Sequence, residues 1–297
     1  MKRVFIVNPV SGDGKSKEIA EEIKKMLDND GEEYDMYYTA APREAIDIAM
    51  KYSKKKEPHL IYSVGGDGTL FEVVNGISNS NNVLGIIPAG TGNDFVKTLK
   101  IDSNNEITNV DLCKMNDYYF INIASVGIDA EIAHNQARMK NYYIPRRLRY
   151  KASILDTFFK FKYPRIKANI DDRVFEQEIT ILAICNGRYY GGGFEIAPNA
   201  IYNDGKFDIY LADRVDKIKI PSLLLKVIKG THEESKYIHK FYSDKVVIHS
   251  EQELNCNLDG EIFSLRDMEF SVTDKKIPIY TADDKIKQLC KSKGLYK

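Results

Sequence analysis

Residues 60–95 restrict the fold of this chain more than any other segment, because one short design occurs there twice. An apolar run short enough for a buried strand, residues 60–64, leads into the turn Gly65-Gly66-Asp67-Gly68-Thr69. Leu70, Val73, Val74 and Ile77 then follow at helical spacing. A second apolar run, residues 83–87, leads into Ala89-Gly90-Thr91-Gly92-Asn93-Asp94. A strand, a glycine turn and a helix start together present backbone N–H groups to phosphate, and glycine lets the oxygens come close. Each turn also carries an acidic residue, which phosphate alone would repel. A divalent cation between carboxylate and phosphate removes that conflict. The stretch therefore reads as a nucleotide-phosphate and Mg²⁺ site.

The rest of the first half repeats the same rhythm. Residues 3–7 read as a strand closed by Asn8-Pro9, followed by a polar glycine turn and an amphipathic helix with Ile19, Ile23, Met26 and Leu27 on one face. Gly14-Lys15-Ser16 looks like the end of a P-loop, but the first glycine that motif needs falls on Pro9. This turn is either an ordinary strand-to-helix loop or a second phosphate-contacting loop. Residues 34–39 read as a strand and 43–54 as a helix. Alternating strands and helices predict an α/β domain with a largely parallel sheet, in which ligands bind off the carboxyl ends of the strands. The turns after Val7, Tyr38, Val64 and Ile87 lie at those ends, and so does Thr39.

From Val110 the pattern becomes a succession of strand-like runs separated by turn residues, 118–124, 245–249 and 253–258 among them, which predicts an antiparallel β-sandwich with a boundary near residue 114. Only residues 217–229 read as helical inside it, and 282–292 form a short terminal helix. Asp111, inside an apolar strand, calls for a partner or a metal, or else faces solvent on an edge. Asp259-Gly260 between two strand-like runs is first of all a hairpin turn.

The chain has 297 residues, room for two modest domains, and a formal net charge of zero, so no global field calls for nucleic acid. No stretch approaches the roughly 20 apolar residues of a membrane span, and the N-terminus lacks the pattern of a signal peptide. Four scattered cysteines suit idle thiols in a reducing cytoplasm. Charge is uneven locally. Residues 138–167 hold ten Lys and Arg against one acid, Asp156, interleaved with aromatics. Such a stretch suits an anionic membrane surface. Nucleic acid, or a solvated helix with its apolar side in the core, are the rival readings.

The segments SVGGDGTLFEVVNG (63–76) and IPAGTGNDF (87–95) resemble the diacylglycerol kinase catalytic domain, in its soluble bacterial lipid-kinase branch. Asn8-Pro9-Val10-Ser11-Gly12 and Asp259-Gly260-Glu261 match further motifs of that family, in the same order. The resemblance implies a Rossmann-like ATP-binding domain (1–113, with the tail 280–297) and a β-sandwich lipid domain (114–279), with the active site in the cleft between them. It implies ATP and Mg²⁺ as cofactors, and diacylglycerol as acceptor, giving phosphatidic acid. Asn8, Ser11, Gly12 and Thr39 are then nucleotide contacts, with Gly65, Gly66, Asp67, Gly68, Thr69, Leu70, Thr91 and Asn93. Asp67, Asp94, Asp111 and Glu261 form a Mg²⁺ network, partly through water, and Asp259 is the general base. Asp204, with main-chain oxygens of Ile201 and Lys206, matches a loop that holds a second, structural Mg²⁺. This chain has Asn203 where a second Asp often stands. The implied setting is cytoplasmic and peripherally membrane-associated, on anionic phospholipid, without nucleic acid; a homodimer is compatible with it. Other lipid alcohols, phosphatidylglycerol or a sphingoid base, are alternative acceptors. NAD kinase shares the GGDGT turn. A lipid-binding protein that kept the fold without activity is a further alternative, against which the intact Asp67, Asp94, Asp111, Asp259 and Glu261 speak.

Overall fold

The structure is a computed structural model that describes residues 1–102, 107–138, 153–154, 156–281 and 283–295. In chain order its main elements are β1 (Arg3–Val7), α1 (Lys15–Asp30), β2 (Tyr34–Tyr38), α2 (Glu44–Ser53), β3 (Leu60–Gly65), α3 (Asp67–Ile77), β4 (Val83–Pro88) and α4 (Asp94–Asp102). There follow β5 (Ile107–Met115), β6 (Tyr118–Phe120), β7 (Ile123–Gly127), α5 (Ile128–Arg138), β8 (Arg165–Ile170), β9 (Arg173–Cys185), β10 (Tyr189–Tyr190), β11 (Phe194–Glu195) and β12 (Phe207–Asp213). The last are α6 (Ile220–Ile228), β13 (Ile238–Ser243), β14 (Lys245–Leu258), β15 (Glu261–Tyr280) and α7 (Asp284–Ser292). Two compact units result. The first comprises Met1–Leu112, Tyr118–Ile121 and Thr273–Lys297; the second comprises Cys113–Asp117 and Asn122–Val272.

The first unit is built on a parallel sheet in which the end of β15 is followed by β4, β3, β1 and β2. Its central strands are continuous apolar runs because helices cover both faces. In β1, Val4, Phe5, Ile6 and Val7 are all fully buried. Helix α1 lays Ile19, Ile23 and Leu27 against Tyr62 and Val64 of β3, and against Ile286 and Cys290 of α7. Truncating such a buried Leu or Ile to Ala costs about 2–5 kcal/mol. Helix α3 approaches α2 closely through Gly76, where an added Cβ would run into the Ala49 side chain. Parallel pairing brings the ends of β1, β2, β3 and β4 to one edge, with Val7 beside both Tyr38 and Val64 and Val64 beside Ile87.

The second unit is antiparallel, in the order β13, β12, β9, β7, β14, β15. Strand β8 pairs with both β9 and β14, so β7, β9, β8 and β14 close on themselves as a sandwich-like layer. Four details differ from the expectations above. The runs 245–249 and 253–258 form one strand, β14, whose register breaks between His249 and Leu254. The run 118–124 is divided into β6 and β7. Helix α5 occupies residues the sequence reading leaves non-helical; among its described side chains the only apolar one fully buried is Ala130, so its apolar periodicity is faint. The resemblance implies a return to the first unit at residue 280, whereas the first unit resumes at Thr273.

Candidate active site

At the strand ends of the first unit the ladder continues past the sheet. The Thr39 N–H donates to Val7 O (2.9 Å), the Asn8 N–H to Val64 O (3.0 Å) and the Ala89 N–H to Gly65 O (2.8 Å). Three turns are thereby set side by side, and glycine lets them touch. An added Cβ at Gly66 would lie 3.2 Å from the Gly90 Cα and 3.5 Å from the Ser11 Oγ, and one at Gly12 would strike the Ala89 carbonyl oxygen. Gly12 also has φ +60°, which side-chain-bearing residues rarely adopt. The Ser16 hydroxyl, fully buried, ties the first turn down by donating to Asn8 O and Ser11 O.

This junction faces the start of α3. Gly66 is the N-cap of that helix and no side chain caps it. The first N–H groups of a helix have no intrahelical partner, so those of Asp67, Gly68 and Thr69 carry the positive end of the helix toward the glycines. Thr69 is buried against Gly65. Leu70 stands differently: its side chain is core and its N–H donates to Gly66 O at 3.0 Å, so it holds the turn together from behind. Thr91 is exposed at the tip of the second turn. Asn93, at φ +53°, folds that turn, its side chain accepting the Gly90 N–H (3.1 Å) and donating to Gly90 O (2.8 Å) and Pro88 O (3.2 Å). Asn8 accepts the Val10 N–H at 3.3 Å. The cradle therefore fits a phosphate chain: bare glycine backbone where a Cβ would intrude, and an uncapped helix start behind it.

The acidic residues differ in their local partners. The Asp67 carboxylate accepts the Asn93 N–H on one oxygen and the Asp94 N–H on the other, both at 2.9 Å, and so brackets the two turns. Burial, with the Asp94 carboxylate next to it, pushes the Asp67 carboxyl up to about 6 against the pull of those N–H groups. Asp94, itself buried, pairs with Lys97 Nζ at 2.8 Å. An added Cβ at Gly92 would lie 2.7 Å from Asp67 Oδ2 and 3.7 Å from Asp94 Oδ2, so both carboxylates overhang that glycine. Asp111, buried in β5, pairs with Lys276 Nζ at 2.8 Å. Glu261 belongs to the second unit and is exposed. Among the described residues no three His, Cys, Asp or Glu side chains form a ready metal-ligand group. Asp67 and Asp94 are brought together, while Asp111 is held by a lysine. Two oxygen donors beside phosphate suit Mg²⁺, which commonly takes one or two carboxylates, substrate phosphates and water.

In the second unit Asp259 and Gly260 form the two-residue turn between β14 and β15, with φ +49° and +98°. That is the hairpin the sequence suggests. The Asp259 side chain does more: it is buried, and Oδ1 accepts the Ile123 N–H (2.8 Å) and the Asn122 N–H (3.1 Å). The Asp259 N–H in turn donates to Ile123 O at 3.0 Å. In the Asp204 turn, Gly205 has φ +78°, Oδ1 of Asp204 accepts the Lys206 N–H (3.1 Å) and Ile201 O accepts the Asp204 N–H (3.5 Å). This turn closes on itself through its own oxygens, and one carboxylate is a thin donor set for an ion. Of the basic stretch, residues 139–152 and 155, including Arg146, Arg147 and Arg149, lie outside the described residues. In the described part, Phe161 is core, Tyr163 donates to Val215 O (2.5 Å) and Lys160 pairs with Asp156 (2.5 Å). Sequence reading missed Ser16, Lys97, Lys276, Asn122 and Ile123. Only Ser16, next to a glycine turn, and Lys97, one helical turn from Asp94, carried any local signal.

A family model described as diacylglycerol kinase catalytic domain matches residues 2–124, and one described as YegS C-terminal NAD kinase beta sandwich-like domain matches residues 122–281. A diacylglycerol kinase of Bacillus subtilis is 27% identical over 97% of this chain and 99% of its own length. A YegS-like lipid kinase candidate of Shewanella frigidimarina is 30% identical over 72% and 73%. A Bacillus anthracis crystal structure, described as that of a candidate diacylglycerol kinase, shares the fold with a TM-score of 0.75, at 24% identity over 95% of each chain. The glycine cradle of the first unit and the sandwich-like sheet of the second thus fall within two adjoining models, and the chain belongs to the family of lipid kinases that pairs a diacylglycerol kinase catalytic domain with a YegS-type C-terminal domain.

Proposed function

We propose that this chain transfers the γ-phosphoryl group of ATP, with Mg²⁺, to the hydroxyl of diacylglycerol, giving phosphatidic acid. The observation that carries the reading is the junction of Ser11, Gly66 and Gly90 in front of the uncapped start of α3. There the backbone N–H groups of Asp67, Gly68 and Thr69 bind and orient the phosphates. Mg²⁺, when bound, neutralises charge on the transferring group. Asp67 and Asp94 would hold it over Gly92, and Asp111 and Glu261 would act through water. Asp259 takes the proton of the acceptor hydroxyl, oriented for this by the Asn122 and Ile123 N–H groups. Diacylglycerol is preferred to phosphatidylglycerol, a sphingoid base or NAD because the first family model and the full-length relatives bear its name. Among the described residues no helix is long and apolar enough to cross a membrane, and the reaction is placed by this reading at the membrane surface.

The test is transfer of label from [γ-³²P]ATP, with and without Mg²⁺, to a panel of these acceptors in mixed micelles. The expected result is Mg²⁺-dependent labelling of diacylglycerol above the others. Labelling of NAD alone would overturn the lipid reading, and labelling of another lipid alcohol would reassign the acceptor.

A further inference from the structure

Helix α6 of the second unit turns its apolar side outward. Its Val227 is buried in the core with Ile123, Ala183, Ile196 and Tyr210. Turned away from the core, Pro221, Leu224, Leu225 and Ile228 fall along one exposed stripe at helical spacing. Leu224 is 41% exposed, Leu225 56% and Ile228 57%, and Ile218, in the 3₁₀ turn just before the helix, is 84% exposed. A surface helix ordinarily shows solvent its polar face. Here basic residues stand at the two ends of the stripe, Lys217 and Lys219 before it and Lys229 after it, with no acidic residue between positions 217 and 229. Lys217 Nζ donates to Phe159 O at 2.8 Å, which brings a further aromatic residue, 69% exposed, beside the patch. Lys219 is shared with Asp216 (3.3 Å) and the Tyr237 hydroxyl (3.2 Å).

We infer that this face docks the protein on a bilayer containing anionic phospholipid, with Ile218, Leu224, Leu225 and Ile228 entering the boundary between headgroups and acyl chains and the lysines meeting lipid phosphates. An apolar stripe with a basic rim has the chemistry of an interfacial helix. A second copy of the chain is disfavoured by charge, because a two-fold contact would set this basic rim against itself. The inference deepens the lipid-kinase reading and takes its motive from it, but vesicle binding is measured without catalysis, so the two fail separately.

Wild type, Leu225→Asp/Ile228→Asp and the milder Leu225→Ser/Ile228→Ser are to be sedimented with phosphatidylcholine vesicles and with vesicles also containing phosphatidylglycerol. Melting temperature and activity on a soluble short-chain diacylglycerol are followed alongside. Wild type should bind the anionic vesicles at least about tenfold more tightly than the neutral ones, in a salt-dependent manner. Both double variants should lose about tenfold or more of that binding, with melting temperature and soluble-substrate activity unaltered. Undiminished vesicle binding in both variants overturns the inference. So does a wild-type dimer, seen by light scattering, that becomes monomeric in the variants while vesicle binding persists, which would assign the face to a second copy.

Discussion

In the first unit the Asp67 carboxylate accepts two consecutive backbone N–H groups, those of Asn93 and Asp94. In the second, Asp259 accepts two consecutive N–H groups, those of Asn122 and Ile123. The same device serves different surroundings. Asp67 lies in the first turn of a helix, hemmed in by glycines that admit no Cβ, and its charge is raised in energy by a second buried carboxylate. Asp259 lies in a left-handed turn position that Asn fills as readily as Asp. At Asp67, shape and charge cannot be varied apart, because removing either loosens the bracket between two turns. At Asp259 they can, since an Asn keeps the turn and an N–H acceptor while losing the proton acceptor.

The largest effect should come from the glycine contact. Gly66→Val drives a branched side chain into Gly90 and Ser11, and ATP-dependent activity should disappear with about 1–3 kcal/mol of stability lost to overpacking. Nucleotide titration and thermal unfolding check it; full ATP affinity in the variant would move the phosphates elsewhere. Next is Asp259→Asn. If the residue is the base, kcat should fall by about 10² to 10⁴ with ATP affinity retained, and if it only shapes the hairpin the variant should be nearly silent. That outcome decides whether the two bracketing aspartates differ in chemistry or only in place.

A smaller effect concerns pH. With its carboxyl near 6, Asp67 should contribute an acid limb to kcat/KM, activity falling as pH drops through that value, because a protonated carboxyl attracts no cation. Stability responds with the opposite sign. The folded carboxyl binds its proton more tightly than an unconstrained one at 3.8, so its contribution to stability declines as pH rises from about 4 to about 6. Asp129, also pushed up to about 6 by burial, adds in the same direction. A pH–rate profile of Asp67→Asn that keeps the wild-type acid limb would assign that limb to another group. Smallest of all, Asp204→Ala should cost about 0.5–1.5 kcal/mol, as loss of a turn hydrogen bond. Adding a chelator should leave the melting temperature unchanged; a fall on chelation would establish an ion there.

The parallel sheet and its cradle were legible because their signals are local and repeated. Apolar runs, glycine turns and helical spacing recur within 36 residues, and the glycines that meet in space are those that stand out in the sequence. The Asp259 turn was legible as a hairpin from two residues, but its hold on Asn122 and Ile123 was not, since nothing in those residues' side chains announces their backbone N–H groups. The cations that hold the acids divide in the same way. Lys97 is one helical turn from Asp94, whereas Lys276 reaches Asp111 from a strand far along the chain. Helix α5 was missed because it buries little on one side, so periodicity had little to report.

The end of β15 pairs in parallel with β4, through Ile279 beside Leu84 and Tyr280 beside Gly85. Asp283, just beyond it, accepts a hydrogen bond from the buried Tyr62 hydroxyl at 2.8 Å. During synthesis, therefore, the first unit is left with a bare sheet edge for as long as the ribosome takes to translate the whole intervening sandwich. At about 5–20 residues per second, β4 waits many seconds for its neighbour, and an unpaired strand edge invites association with other nascent chains. The sheet of the first unit can be completed only after the last strand emerges, which makes the unit encoded first among the last to finish folding.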